Sequence, residues 1–294
     1  MENKKKLLLA IVLNLVIVFL QIGFGVYSKS ISLITDAVHN FQDVVSLIIA
    51  FIAILYSGKK PSELRTFGYL RSEVMAGFIN SAVLVGAVLL IIINSIERFF
   101  YPQEIEGLYV IIVGFVAFVI NSFSAFLLGF HHHHDHNHHH GDLNIKAAYL
   151  HLISDAGMSL GVVLGGIFIY FYNVYWIDPL ISIVFSLYIL KETVPVLKKS
   201  YSILMEFTPS DIDVKEIKKQ IKEIKGVKDI HDVHIWALSS KDIYFSCHLI
   251  LEKNVSIEEF DSILEKVKEK LKSLGINHIT IQPETGNFKC ENVY

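Results

Sequence analysis

Residues 32–56 read SLITDAVHNFQDVVSLIIAFIAILY. As one helix this stretch can cross a bilayer, which takes roughly 20 predominantly apolar residues. Yet it carries Asp36, His39 and Asp43. Ionisable groups inside a spanning helix are expensive, so by default they face the bundle interior and serve an ion pathway. His39 and Asp43 lie four apart, one helical turn above the other on one face, and Asp36, three residues earlier, can share that face. The stretch predicts a membrane protein with a buried polar site.

Working outward, five further apolar runs have spanning length or approach it, at about 7–27, 74–96, 108–130, 145–172 and 177–196. The breaks carry charge or punctuation: Ser28-Lys29-Ser30, residues 58–71, residues 97–107 with Pro102, a histidine run, and residues 173–179 with Asp178-Pro179. The first run follows Lys4 to Lys6, but it is too long for a secretory signal core and no small-residue cleavage pattern closes it. It reads as a first anchored helix, giving a six-helix transmembrane domain over 1–204.

Hydrophobic residues make up 52% of the chain, a fraction that decides little alone; their distribution decides more. Of 26 basic and 29 acidic residues, 13 and 16 fall from Glu206 onward. Residues 205–294 therefore read as a water-exposed domain following a membrane domain. The net charge of −3 gives no reason to invoke nucleic acid. Cys247 and Cys290 are too few for a disulfide framework and suit a reducing compartment.

Lys and Arg set the expected orientation. They gather at Lys4 to Lys6, at Lys59, Lys60, Arg65 and Arg71, and at Lys198 and Lys199, whereas the opposite loops hold Lys29 and Arg98. Both termini, the histidine loop at 131–142 and the tail are then cytoplasmic, in a multi-pass protein of the plasma membrane.

In the tail, Ile212, Ile217, Ile221 and Ile224 have helical spacing, and strands are expected at 227–238 and 243–251. A second helix carries Phe260, Ile263, Leu264, Val267, Leu271 and Leu274, and a last strand is expected at 276–282. The order α-β-β-α-β predicts a small α+β, ferredoxin-like domain with helices on one sheet face. Ile243, Phe245, Cys247, Leu249 and Leu251 alternate toward the core, which leaves His248 on the open face.

The spacing of the second helix recurs in the fifth. His39-Asn40-Phe41-Gln42-Asp43 and His151-Leu152-Ile153-Ser154-Asp155 are both His-x-x-x-Asp. One such pair can be a structural hydrogen bond within a bundle. Two copies in separate helices supply two imidazole nitrogens and two carboxylate oxygens, a set that suits tetrahedral Zn²⁺ and balances its charge. Thiolates that favour Cu(I), and an all-oxygen set that favours Mg²⁺ or Ca²⁺, are absent from it. Asp36 reads as a supporting partner of His39, an entry-path charge, or a helix-end hydrogen-bonding group.

His131, His132, His133, His134, His136, His138, His139 and His140, interrupted by Asp135 and Asn137, make a hydrophilic run that can collect metal weakly. In the tail, His231, His234, His248, His278, Glu284 and Cys290 are possible ligands. On strand parity His231 shares a face with Val233 and Ile235, opposite to His248. A bend at the strand entry can bring His231 and His248 together; otherwise His234 and His248 are the nearer pair. No His-Glu-x-x-His, phosphate-cradling glycine loop or Gly-x-Ser-x-Gly elbow occurs, so neither an enzyme nor an ATP-driven pump is indicated, and no organic cofactor is expected.

Ser32 to His39 with Asp43, Phe67-Gly68-Tyr69 with Arg71 and Glu73, His151 with Asp155, and His231-Asp232-Val233-His234-Ile235-Trp236 resemble, in order, the cation diffusion facilitator family. The resemblance implies a homodimer that exchanges cytoplasmic Zn²⁺ for protons by alternating access, with His39, Asp43, His151 and Asp155 as the transport site. Family members selecting manganese tend to carry Asn or Asp where His39 stands, so the resemblance points to zinc. It implies a regulatory zinc in the tail at His231 and His248, with Glu284 and Cys290 as additions. A further family site between helices two and three is not carried over, because 58–71 lacks His and Asp.

Proton coupling is reasonable on chemical grounds as well, since a histidine must be neutral to ligate metal and titrates near physiological pH. The expected function is zinc efflux by Zn²⁺/H⁺ antiport, with Cd²⁺ or Co²⁺ as further candidates. The rivals are a passive metal channel and a membrane-tethered metal sensor or storage protein. The latter leaves the paired intramembrane motifs unexplained.

Overall fold

A computed structural model of the chain describes residues 2–57, 61–129 and 141–285. Six long helices come first: α1 (Glu2–Ser28), α2 (Ile31–Ser57), α3 (Leu70–Phe100), α4 (Gly107–Gly129), α5 (Gly141–Tyr172) and α6 (Ile177–Leu204). They match the six expected runs and extend several of them by a turn or more. Among the described residues, Leu70–Phe100, Gly107–Ser124, Leu152–Tyr172 and Ile177–Leu204 are long and apolar enough to cross a membrane, and Asn14–Ser28 is a shorter apolar helix. The chain divides into two compact units, one of residues 1–51 and 79–195, the other of residues 52–78 and 196–294.

In the first unit, α4 and α5 approach closely because glycines face the contact. A methyl group on Gly107 would lie 2.8 Å from the backbone nitrogen of Tyr170, and one on Gly166 would lie 3.0 Å from the Ile111 side chain. Leu33, Val110, Val113, Val162 and Ile169 fill a buried apolar cluster joining α2, α4 and α5. Large apolar side chains such as Phe19, Val83, Phe115 and Phe168 remain exposed, as expected of surfaces that face lipid.

The start of α2 is fixed by two side chains. Ser30 is its N-cap, and its hydroxyl accepts from the Leu33 backbone N–H at 3.2 Å. The Asp178 carboxylate, in the first turn of α6, accepts from the Ile31 N–H at 2.7 Å and from the Ser32 N–H at 3.3 Å. It also accepts from the Ser30 hydroxyl at 2.6 Å. Sequence reading put Asp178 at the overlap of the break 173–179 and the run 177–196 without a role; it is a buried cap, 1% exposed.

In the second unit, α7 (Val214–Lys222), β1 (Val227–Ala237), β2 (Ile243–Leu251), α8 (Ile257–Ser273) and β3 (His278–Thr285) follow in the expected α-β-β-α-β order. The sheet order is β1-β2-β3. β1 and β2 pair antiparallel, and β3 returns parallel to β2 after the α8 crossover. Ile217 and Ile221 of α7 and Ile263, Val267 and Leu271 of α8 pack on Ile230, Ile235, Phe245, Cys247 and Leu249. Asp213 caps α7, accepting from Lys215 N–H at 2.8 Å, and Ser256 caps α8, accepting from Glu259 N–H at 3.2 Å. The last strand runs through Glu284, further than the expected 282.

Candidate metal centres

The first centre lies where α2 meets α5. His39 Nε2 is 3.0 Å from Asp155 Oδ1 and 3.9 Å from Asp43 Oδ2. One donor atom from each of His39, Asp43 and Asp155 lies within 4.8 Å of the others. A tetrahedral ion with bonds near 2.0–2.1 Å needs donors about 3.3 Å apart, so small side-chain shifts suffice to admit one. His39 and Asp155 are buried, at 6% and 3% exposure, and Asp43 is partly exposed. His151 is in α5, four residues before Asp155; its side chain lies outside the described ones.

Asp36 stands apart from this cluster. Its Oδ2 accepts from Gln21 Nε2 at 2.6 Å and from the Ser159 hydroxyl at 3.1 Å. Gln21 in turn accepts from Asn40 Nδ2 at 2.9 Å. Ser159 lies one turn beyond Asp155, so Asp36 ties α1, α2 and α5 together next to the cluster. It takes no part in capping α2. Gln21 and Asn40 are the participants that sequence reading missed, because neutral amides in an apolar run give no ligand signal.

The second centre lies on the open face of the tail sheet. His248 Nδ1 is 2.8 Å from Glu284 Oε1, and His231 Nε2 is 3.3 Å from Glu284 Oε2. Donor atoms of these three residues lie within 4.8 Å of one another. The two imidazole rings meet edge to face, with centroids 5.3 Å apart. The donor set is two nitrogens and a carboxylate, which fits a zinc-like ion.

Strand parity alone put His231 on the wrong face, and the reason is a β-bulge. The register slips between His231 and His234, so His231 pairs directly with His248 while His234 pairs with Ser246. Asp232 takes the bend at φ 49°, in the left-handed region that Asp tolerates better than most residues. Of the two alternatives open from the sequence, the strand bend is realised. His234 faces Asp232, Nε2 to Oδ1 at 3.1 Å, and is not in the cluster. The His278 ring packs at a tilt against Tyr244, with centroids 4.7 Å apart. Cys290 and His131, His132, His133, His134, His136, His138, His139 and His140 lie outside the described residues. Cys247 is a core residue, 2% exposed, whose thiol burial pushes up to about 12.

Comparisons with known proteins cover nearly the whole chain. A family profile described as "Cation efflux transmembrane domain" matches residues 7–205, and one described as "Cation efflux protein, cytoplasmic domain" matches residues 209–286. The chain is 37% identical to the "Cadmium, cobalt and zinc/H(+)-K(+) antiporter" of Bacillus subtilis, over 99% of this chain and 92% of that protein. It is 34% identical to the "Metal cation efflux system protein CzcD" of Cupriavidus metallidurans, over 96% of this chain and 87% of that protein. The "Zinc transporter ZitB" of Escherichia coli is 30% identical, over 96% of this chain and 88% of that protein. Among solved structures, the metal-bound C-terminal domain of the CzcD transporter matches 25% of this chain and 99% of that chain, at 38% identity and a TM-score of 0.23.

Proposed function

The chain belongs to the cation efflux family of multi-pass membrane transporters, and on that premise we propose that it exports Zn²⁺ from the cytoplasm in exchange for protons. The observation that carries this reading is the convergence of His39, Asp43 and Asp155 from two different helices, with His151 one turn before Asp155. Two carboxylates balance a divalent ion, and two imidazoles favour a borderline metal over Mg²⁺ or Ca²⁺. Cd²⁺ and Co²⁺ have the same donor preference and are named for relatives.

Proton exchange follows from the donors. Each imidazole must be neutral to bind, so metal entry and proton departure are linked at one site. The site lies on helices that can open to either side in turn, and the ion crosses without a continuous pore. In this reading the termini and the histidine loop are cytoplasmic, and the loop raises local metal concentration. The tail joins two copies into a dimer, in line with its family match. His231, His248 and Glu284 hold a regulatory zinc there, with Cys290 as a candidate addition.

Zinc uptake into proteoliposomes, with and without an imposed pH gradient, tests the proposal. Uptake that accelerates with an opposing proton gradient and moves protons outward supports antiport. Uptake indifferent to the gradient, with no proton movement, identifies a passive channel, and absence of uptake identifies a sensor.

A further inference from the structure

The bulge residue Asp232 faces the two imidazoles that flank it. Its Oδ1 is 3.1 Å from His234 Nε2 and its Oδ2 is 3.5 Å from His248 Nε2. His248 is thereby addressed on both ring nitrogens, with Glu284 Oε1 2.8 Å from Nδ1 on the opposite edge. One ring cannot offer both nitrogens to one ion, so the two carboxylates have different tasks. The Nδ1 edge meets Glu284, whose other oxygen reaches His231 Nε2 at 3.3 Å. The Nε2 edge faces Asp232 Oδ2.

We propose that Asp232 is the positioning residue of the tail centre: it holds the Nε2–H of His248, fixes that tautomer, and leaves Nδ1 as the metal donor. The inference rests on the reading of His231, His248 and Glu284 as a zinc site. A ligating histidine characteristically donates its other N–H to a carboxylate, which orients the ring and raises its basicity. When metal takes Nδ1, the N–H facing Asp232 stays in place. Asp232 also spans to His234, so a single carboxylate restrains two rings, and His234 is thereby coupled to the centre without ligating.

The backbone supplies the control. Asp232 sits at φ 49°, where Asn and Gly are also tolerated. Asp232→Asn and Asp232→Gly therefore both keep the bulge. If the residue serves only the bend, both variants bind metal as the parent does.

The test uses the full-length chain with Asp155→Ala and with the histidines of 131–140 changed to serine, so that the tail is the remaining zinc site. Zinc affinity and stoichiometry are read by competition with a chromophoric chelator. Asp232→Asn is expected to bind the same number of ions about 10-fold more weakly, and Asp232→Gly up to about 100-fold more weakly. Glu284→Gln abolishes the site. Affinities within twofold of the parent for both Asp232 variants, with Glu284→Gln still abolishing binding, overturn the positioning role. Loss of all binding on Asp232→Asn also overturns it, since it makes Asp232 a ligand. Unchanged binding in Glu284→Gln instead overturns the reading of the tail as a zinc site.

Discussion

The Asp178 carboxylate accepts the Ile31 N–H at 2.7 Å, capping a helix whose start lies 147 residues earlier in the chain. Ser30 satisfies one orphan N–H at the start of α2, and Asp178 satisfies the two before it. A negative charge at a helix N-terminus also meets the positive end of the macrodipole. The contact fixes where α2 begins, and so fixes the height of His39 relative to α6.

Asp178→Ala should destabilise the protein by roughly 2 kcal/mol, because two backbone N–H groups and two hydroxyls lose a buried acceptor. Asp178→Asn, which keeps one acceptor, should recover about half. Thermal unfolding of the detergent-solubilised protein measures both. An alanine variant as stable as the parent would show that Ser30 caps α2 unaided.

Asp155→Ala should abolish zinc flux and leave the dimer folded, since one lost donor breaks a four-coordinate site. Flux into vesicles and size-exclusion chromatography check the two halves. Flux near the parent level would remove the first centre from the transport path.

His39→Asp makes the site harder and more negative, with three carboxylates and one imidazole. Zinc transport should fall, discrimination against Mn²⁺ should relax, and the pH profile of exchange should move as one titratable imidazole is lost. Metal competition on the purified variant decides it. An unchanged zinc preference with an unchanged profile would place His39 outside the donor set.

The six helices and the tail order were legible because their signals are local: apolar run length in one case, period and turn residues in the other. His39, Asp43 and Asp155 were legible because a charge within an apolar run has few uses. The capping role of Asp178 was not legible, because an acid beside a proline at a helix start reads as ordinary punctuation and its partner Ile31 lies 147 residues away. His231 was assigned the wrong face because strand parity assumes an unbroken ladder, and nothing in His231-Asp232-Val233-His234 marks which residue bulges. Gln21 and Asn40 left no signal, since their role exists only once α1 and α2 pack together.

Cys247 yields a pH-dependent stability. Burial, helped by Asp232, raises its thiol from 9.0 to about 12, so the folded state holds the proton more tightly than the unfolded one. Its favourable contribution is complete below pH 9 and declines as pH rises from there toward about 12. In a Cys290→Ser variant, maleimide should leave the native protein unlabelled at pH 8 and label it after unfolding. Rapid labelling of the native protein would contradict the burial.

The donors that meet between α2 and α5 are nitrogen and oxygen, with no sulfur among them. Peroxide and disulfide-forming oxidants act on thiolates and leave imidazole and carboxylate intact under mild conditions. A centre built without sulfur keeps its donors through such oxidation, so its ability to hold an ion does not depend on the redox state of its surroundings.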